Sequence, residues 1–290
     1  MRRLFPENNF VAPFLVEGTR IAVAEAPGQV EAERGEPLCG PSGSWLRGRE
    51  DDGGKRSGGL YRAAGINEGE VSRLNVINCQ PPGNIFPTDP GASYISAADA
   101  EVAVAHCLGA HVLPVLRTPN RWSRVDIFGD KALRALCQVG GGILRWRGSP
   151  LPIPALGPEP RAVPTIHPAY LARTQELIPA VVCDLRKSLH IPEEHYNLSP
   201  TLDEVRNFTA TEFAFDIETI RGTGEITMVG LSANPTTAIV VPCTGAYIPE
   251  LRRIFENATV LYTQNGIAFD IPRLFPVLGL EWKPSYPSSM

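Results

Sequence analysis

An α/β fold in two domains is what the sequence predicts. Short apolar segments alternate with segments of helical periodicity, which is typical of a parallel sheet whose strands are joined by crossover helices. The chain has 290 residues, enough for two domains of ordinary size. The polar stretch 190–200 lies between two such patterns and is the best linker candidate. We therefore predict one domain over residues 1–195 and a second over residues 196–290.

The first domain is predicted from strand-like segments that run into turns or helices. These segments are residues 20–24, 72–78 and 125–129. Helical periodicity covers residues 130–139 and 180–189. Residues 148–164 are rich in proline and glycine and indicate a loop or a hairpin, whereas the glycine-rich, charged residues 47–59 indicate a surface insertion. The order of these elements predicts a sheet with a parallel centre.

The second domain has the predicted element order β-β-β-α-β-α. Its strands are expected at residues 212–218, 225–233, 237–242 and 259–263, and its helices at residues 247–256 and 269–278. Residues 284–290 have the composition of a loop and not of a finished core element. We therefore expect the second domain to be incomplete in this chain.

Composition and charge limit the kinds of molecule that the protein is expected to bind. The net charge of −4 excludes a globally basic nucleic-acid coat but allows a local positive groove. We find no apolar run of membrane-span length, and no signal-peptide core follows the first basic residues. We therefore expect a cytoplasmic protein without a membrane partner.

Three ordered blocks carry the most specific signal. Residues 25–43 read EAPGQVEAERGEPLCGPSG, residues 75–84 read NVINCQPPGN, and residues 166–173 read IHPAYLAR. In this order they resemble the motifs of the family 4 uracil-DNA glycosylases, over about residues 20–190. The resemblance implies a three-layer α/β domain with a central parallel sheet. It also implies an enzyme that binds DNA and hydrolyses the bond between deoxyribose and uracil, or a related deaminated base.

The residue types in these blocks suit that chemistry. Base removal needs a nucleotide turned out of the stack and hydrogen-bond donors where the leaving base gathers negative charge. The turn of Ala26, Pro27 and Gly28 follows a strand, at the usual ligand edge of an α/β sheet. The amide of Asn75 has both a donor and an acceptor for the Watson–Crick edge of uracil. His167 can donate to a carbonyl oxygen of the base.

Two acids compete for the role of orienting the attacking water. Either Glu25 or Glu31 suits that role, and Asn84 suits the positioning of the water or of a phosphate. By the resemblance, residues 170–173 enter the duplex, and Arg173 contacts the substrate. Ordinary interpretations remain open, because Glu25 could be a surface acid and Asn84 a turn residue.

The chain departs from the family pattern in two places. Leu38 stands where the family has a phenylalanine that stacks on the flipped base, and such stacking contributes about 1–3 kcal/mol per base. The family also holds an iron–sulfur cluster on four cysteines. Cys79 and Cys107 match two of these, but the sequence has no cysteine before Cys39. We therefore expect no cluster and no other cofactor in the first domain, where the cysteines are predicted to be mostly buried free thiols.

A second constellation lies in the other domain. Asp216 and Glu218 are two residues apart in a predicted strand, which puts both carboxylates on one face. Asp270 ends the later run NGIAFD. These residues resemble the first two motifs of RNase H-like 3′–5′ proofreading exonucleases of family A DNA polymerases. The resemblance implies Mg²⁺ or Mn²⁺ binding by the three acids, but the third motif lies beyond residue 290, so we expect no exonuclease activity from this chain.

The leading hypothesis is a uracil-DNA glycosylase joined to an incomplete exonuclease domain. This arrangement resembles the front of some bacteriophage DNA polymerases and implies the remainder of the polymerase as a partner. The first alternative is a catalytically weak or inactive module that only recognises DNA or its uracil. The second alternative is a fragment of a longer reading frame without an independent role.

Overall fold

The computed structural model describes residues 10–50, 56–190 and 192–282, and these form two compact units that divide at residue 191. Residues 51–55 of the predicted surface insertion and the whole predicted loop at residues 284–290 lie outside the described residues. The described ends of the predicted surface insertion are paired as two short antiparallel strands.

The first unit is built on a five-stranded sheet and a small hairpin. Its strands are β1 (Arg20–Ala24), β2 (Arg49–Glu50), β3 (Arg56–Ser57), β4 (Val71–Asn75), β5 (Arg124–Phe128), β6 (Leu151–Pro152) and β7 (Pro160–Thr165). The strand order of the large sheet is β4-β1-β5-β7-β6. The first four strands are parallel, and β6 is antiparallel to β7, so the sheet has the predicted parallel centre with one antiparallel edge.

Helices pack on both faces of this sheet. They are α1 (Gln29–Arg34), α2 (Pro41–Arg47), α3 (Leu60–Ala63), α4 (Ala97–Cys107), α5 (Leu113–Leu116), α6 (Asp130–Cys137), α7 (Ile143–Trp146), α8 (Pro168–Leu171) and α9 (Ile178–Arg186). Ile21 and Val23 of β1 belong to an apolar cluster with α4 and α6. Ala22 and Ala24 belong to a second cluster with α2, α3 and α9. Alternate strand residues thus serve two helical layers, which makes a three-layer arrangement.

The hairpin alternative for residues 148–164 is confirmed, because β6 and β7 are consecutive antiparallel strands. Residues Pro160–Thr165 form β7, which is hydrogen-bonded between β5 and β6. The carbonyl of Pro164 accepts the Gly148 N–H, and the N–H and C=O of one strand residue point to the same side. The ring nitrogen of Pro164 therefore faces away from β5. Its missing N–H removes no hydrogen bond between β5 and β7.

The long helical run at residues 97–116 was not predicted from the sequence. α4 and α5 are joined by a π-helical turn at Leu108–Val112, next to Pro114, whose missing N–H breaks the ladder there. The whole run Ala97–Leu116 is long and apolar enough to cross a membrane by length and composition alone, so the expectation of no such run was wrong. Its buried side chains belong to the core of the first unit; they include Val104, Cys107, Val112 and Leu116.

The second unit has its own mixed sheet, of order β12-β9-β10-β11-β8. Its strands are β8 (His195–Asn197), β9 (Glu212–Thr219), β10 (Ile226–Asn234), β11 (Thr237–Pro242) and β12 (Val260–Tyr262), and its helices are α10 (Leu202–Arg206), α11 (Tyr247–Glu256) and α12 (Asp270–Leu278). The predicted order from β9 to α12 is present. Two short elements, β8 and α10, were missed. β8 is exposed, lacks apolar periodicity and depends on parallel pairing with β11.

The two faces of β9 have different surroundings. Phe213, Phe215 and Ile217 are buried in a cluster with α11 and α12, where edge-to-face aromatic contacts join Phe213 and Phe215 to Phe255. Asp216 and its neighbours at alternate positions are exposed on the opposite face. The alternation follows the pleat of the strand and places the predicted carboxylates on the solvent side.

Candidate active site

A cavity of about 490 Å³ opens beside the carboxyl ends of β1 and β4. These strands are parallel, and their last residues, Ala24 and Asn75, are in register. The segments that follow both strands therefore begin at the same edge of the sheet, where α/β folds bind ligands. Of the residues predicted from the sequence, the cavity is lined by Glu25, Ala26, Pro27, Gly28, Glu31, Leu38, Asn75, Asn84 and His167.

Asn75 is the most informative residue of this cavity. It is fully buried at the end of β4, and among the described residues neither its side-chain nitrogen nor its side-chain oxygen has a hydrogen-bond partner of normal geometry, although the amide lies close enough to the Glu31 carboxylate to lower the pKa of that acid. Leaving a buried polar group unpaired costs about 1–3 kcal/mol. An amide that lines a cavity with both groups unpaired is therefore suited to a ligand that offers an adjacent donor and acceptor.

His167 lines the same cavity from the start of α8. Its Nδ1 accepts the backbone N–H of Ala169 at 3.2 Å, so the proton of the neutral ring lies on Nε2. Burial lowers the pKa of His167 to about 4. The imidazole is therefore neutral near pH 7 and has one N–H to donate.

Glu25 follows β1 directly and is held by the amino end of α6. Its Oε1 accepts the backbone N–H of Lys131 at 3.1 Å. Desolvation by burial raises the pKa of Glu25, while the Lys131 N–H and charge act against the rise. A Cβ at Gly129 would lie 2.3 Å from Glu25 Oε1, and Gly129 has φ near +93°, so only glycine suits this position.

Glu31 has a structural partner already. Its Oε2 accepts the Gly28 N–H at 3.1 Å, so the Glu31 side chain satisfies one of the free backbone donors at the start of α1. Burial raises the pKa of Glu31 as well. The Gly28 N–H is thereby occupied, so Gly28 contributes to the wall of the cavity and not a free backbone donor.

The remaining predicted residues form the wall and the rim. Leu38 is 1% exposed with φ near +54°, and it presents an aliphatic wall where the family places an aromatic ring. Asn84 is on the rim with φ near +56°, and its Oδ1 accepts from Gln80. Arg173 does not line this cavity. It lines a neighbouring groove that shares Glu25 and His167 with the cavity.

An aromatic ring and an ion pair of this site were not predicted from the sequence. Phe86 and Asp89 line the cavity, and Asp89 forms an ion pair with Lys131. The Lys131 Nζ lies 6.0 Å from the centre of the Phe86 ring. Lys131 lies on α6, 42 residues after Asp89, and only tertiary packing brings them together.

The residues beside Cys79 and Cys107 do not fit an iron–sulfur cluster. Within residues 10–50, 56–190 and 192–282, no group of three or more His, Cys, Asp or Glu side chains is arranged to hold a metal. Cys79 pairs with Phe10, whose ring contacts His111 at 5.0 Å between centroids. Both cysteines are free thiols, and burial raises the pKa of each. A four-thiolate cluster therefore lacks its ligands here.

The acids predicted as metal ligands in the second unit lie close together, and their role as metal ligands stays a prediction. Asp270 is buried, and its two oxygens accept the Ile217 N–H at 3.2 Å and the Thr263 hydroxyl at 3.3 Å. The pKa of Asp216 is raised by desolvation first and then by the charges of Asp270 and Glu218. The three carboxyl groups are neighbours, but in the described chain they do not converge as a metal group.

Comparison with known proteins finds similarity to a curated protein. A type-4 uracil-DNA glycosylase of Thermotoga maritima is 28% identical over 176 residues, which cover 59% of this chain and 76% of that protein. No family model matches the chain. The similarity agrees with the resemblance of the three sequence blocks and supports a uracil-DNA glycosylase-like α/β domain.

Proposed function

We propose that the first unit is a DNA glycosylase that hydrolyses the N-glycosidic bond of uracil, or of a related deaminated base, in DNA. The unpaired, buried amide of Asn75 carries the proposal, because it has the donor and acceptor that the Watson–Crick edge of uracil requires. A base can reach this amide only after it leaves the stack, which glycosylases achieve by flipping the nucleotide.

His167 is proposed to stabilise the leaving base. As the bond between the base nitrogen and the sugar carbon breaks, both electrons move to the base and its carbonyl oxygens gain negative charge. The Nε2–H of neutral His167 donates to one such oxygen. A neutral donor binds uracil and its anion without adding a proton, and it binds the anion more strongly.

Glu25 is the better of the two acids for orienting water. Each acid accepts one backbone N–H, from Gly28 at Glu31 and from Lys131 at Glu25, but the Leu38 N–H also interacts with Glu31, so Glu31 is the more fully engaged of the two. Water adds to the sugar carbon and loses a proton to Glu25, and the base anion is protonated on release. A burial-raised pKa brings Glu25 closer to the operating pH, which favours proton transfer.

A uracil-containing oligonucleotide tests the proposal. Purified protein is incubated with single-stranded and duplex DNA carrying one uracil, and abasic sites are detected by alkaline cleavage. We expect cleavage at uracil that Asn75→Ala and His167→Ala each abolish or reduce strongly. DNA with thymine in place of uracil is the substrate control, and Asn197→Ala in the second unit is the protein control. Absence of cleavage by the unsubstituted protein would contradict the glycosylase proposal.

A recognition module is the second candidate function, and Leu38 favours it. The cavity wall at this position is aliphatic, so the flipped base loses the stacking partner that the resemblance implies. A module would bind uracil-containing DNA more tightly than matched thymine DNA and release no base. Equilibrium binding measured beside the cleavage assay separates the two candidates.

We propose that the second unit is an RNase H-like 3′–5′ exonuclease-like domain of the kind found in phage-type DNA polymerases. The neighbouring order β12-β9-β10-β11 and the carboxylates of Asp216 and Glu218 on one strand support this ancestry. Because both oxygens of Asp270 already accept the Ile217 N–H and the Thr263 hydroxyl, we expect no Mg²⁺- or Mn²⁺-dependent digestion of single-stranded DNA. Such digestion, lost in Asp216→Ala, would contradict this expectation.

A further inference from the structure

The chain before β1 forms a strap along the free edge of the large sheet. We use the name N-terminal strap for residues 10–16. Phe14 exchanges two backbone hydrogen bonds with Arg73, both of 2.8 Å, and Val16 N–H donates to the Ser72 hydroxyl at 3.0 Å. Both partners lie on β4, which is the edge strand. The strap therefore satisfies backbone groups that an open edge leaves unpaired.

The strap continues past the end of β4 to the segment that follows Asn75. The Val11 N–H donates to the Asn78 carbonyl at 2.7 Å, and the Asn78 side-chain amide donates to the Val11 carbonyl at 3.1 Å. Both residues are fully buried. We call this pair of hydrogen bonds the Val11–Asn78 clasp. Beside it, the Phe10 ring contacts His111.

The other side of the same segment is bonded to the end of β1. The Val76 N–H donates to the Ala24 carbonyl at 2.9 Å, and the Ile77 N–H donates to the Glu25 carbonyl at 3.0 Å. Residues 76–78 thus lie between the strap and the backbone of Glu25. Among the described residues the side chain of Asn75 has no hydrogen bond of normal geometry, so its position depends on the backbone that these bonds hold.

We propose that the Val11–Asn78 clasp is a metal-free positioning element for Asn75. It lies beside one of the two cysteines that match the family's cluster ligands, because Asn78 directly precedes Cys79 and Phe10 of the strap pairs with Cys79. The clasp holds the segment after Asn75 against the end of β1, and so it fixes the amide against Glu25 across the cavity. The activity measurements below rest on the proposed glycosylase function, whereas the exchange measurement does not.

Hydrogen exchange tests the clasp without any substrate. Asn78→Ala removes the side-chain bond to Val11, and Phe10→Ala removes an exposed ring that packs beside the clasp. We expect exchange at the Val76 and Ile77 amides to become about tenfold faster in Asn78→Ala, as loss of one buried hydrogen bond predicts. In Phe10→Ala, which removes only a packing contact, we expect a smaller increase at the same amides. Phe10→Ala keeps the test valid if Asn78→Ala fails to fold. Asn67→Ala, in the exposed turn before β4, is the matched control and leaves these amides unchanged.

A double-variant cycle asks whether the clasp acts through Asn75. With uracil release as the measurement, we expect Asn78→Ala to lower kcat about tenfold and to change KM little. In the Asn75→Ala background the same change should cost less than about twofold, because the group that it positions is gone. Equal losses in both backgrounds would mean that Asn78 acts on general stability, and they would overturn the proposal.

Metal analysis completes the test. We expect purified protein to contain no stoichiometric iron or sulfide and to keep its activity after treatment with a strong chelator. Stoichiometric iron, or loss of activity with the chelator, would overturn the metal-free assignment. If unsubstituted protein releases no uracil but the exchange result holds, the proposed function fails and the clasp stands. If Val76 and Ile77 exchange as before in both variants, the clasp fails even where uracil is released.

Discussion

The cavity of the first unit and the acidic cluster of the second unit both collect polar side chains beside strands, but they leave them in opposite states. Asn75 is buried with both amide atoms unpaired. Asp270 is equally buried, yet a backbone N–H and a hydroxyl satisfy both of its oxygens. Because Asn75 lines a cavity, its unpaired groups are available to a ligand, whereas the paired oxygens of Asp270 join two parts of the second unit.

The largest expected effect is on catalysis in the cavity of the first unit. His167→Ala removes the donor to the leaving base and should lower kcat for uracil release about 10²–10³-fold. Because burial lowers the pKa of His167 to about 4, its neutral form persists above that pH. The rate of the unsubstituted protein should therefore show no loss from histidine protonation until the pH approaches 4. A histidine-dependent limb near pH 6.5, absent from His167→Gln, would contradict the neutral-donor role.

Asp270→Ala tests whether the paired carboxylate of Asp270 stabilises the second unit. This change leaves the Ile217 N–H without its buried acceptor and should destabilise the second unit by about 2–3 kcal/mol. Urea unfolding followed by exchange at the Ile217 amide measures the loss. Uracil release by the first unit should not change, since Asp270 belongs to a separate compact unit.

Asp216→Asn is the matched control for that variant. Asp216 is exposed, and the charges of Asp270 and Glu218 contribute to its raised pKa. A raised carboxyl pKa means that the folded state disfavours the ionised form, so stability is lost as pH rises through that pKa. Asp216→Asn should therefore leave stability near pH 7 unchanged or slightly higher. A large loss would show that Asp216 has a structural role like that of Asp270.

A smaller effect concerns the cavity wall. Leu38→Phe restores the aromatic ring that the family resemblance implies, and stacking adds about 1–3 kcal/mol per base. We expect binding of uracil-containing DNA to tighten by up to about tenfold, because part of the gain is offset by fitting a larger ring into a buried position. Leu38→Ile is the matched control for the change of shape. Weaker binding by Leu38→Phe with intact folding would show that the ring has no room.

The smallest effect sharpens the role of Glu25. Lys131 lowers the pKa of Glu25 by its charge, while Asp89 and Asp130 raise it. Lys131→Gln keeps the backbone N–H but removes the charge, so the acid limb of the pH–rate profile should move to higher pH. His167 and Arg173 also face Glu25, in the adjoining groove, and remain unchanged. An unshifted limb would indicate that Glu25 is not the group whose ionisation limits the rate.

The sequence by itself determined much of this architecture. The strands at residues 20–24 and 212–218 and the helices at residues 247–256 and 269–278 follow from local periodicity, because the pattern repeats within one element. The predicted cavity residues also meet, because parallel strands end at one edge of the sheet. The three blocks with defined spacing made that arrangement predictable.

Tertiary structure alone decided the rest. The sequence allowed a hairpin at β6 and β7, but only the pairing of β7 with β5 joins that hairpin to the central sheet. The pairing of Asp89 with Lys131 and the clasp of Val11 with Asn78 join residues far apart in the chain, so no local pattern signals them. Whether a buried polar group such as Asn75 has partners depends on every neighbour at once. Local sequence sets which groups a residue offers, and packing sets which of them remain free for a ligand.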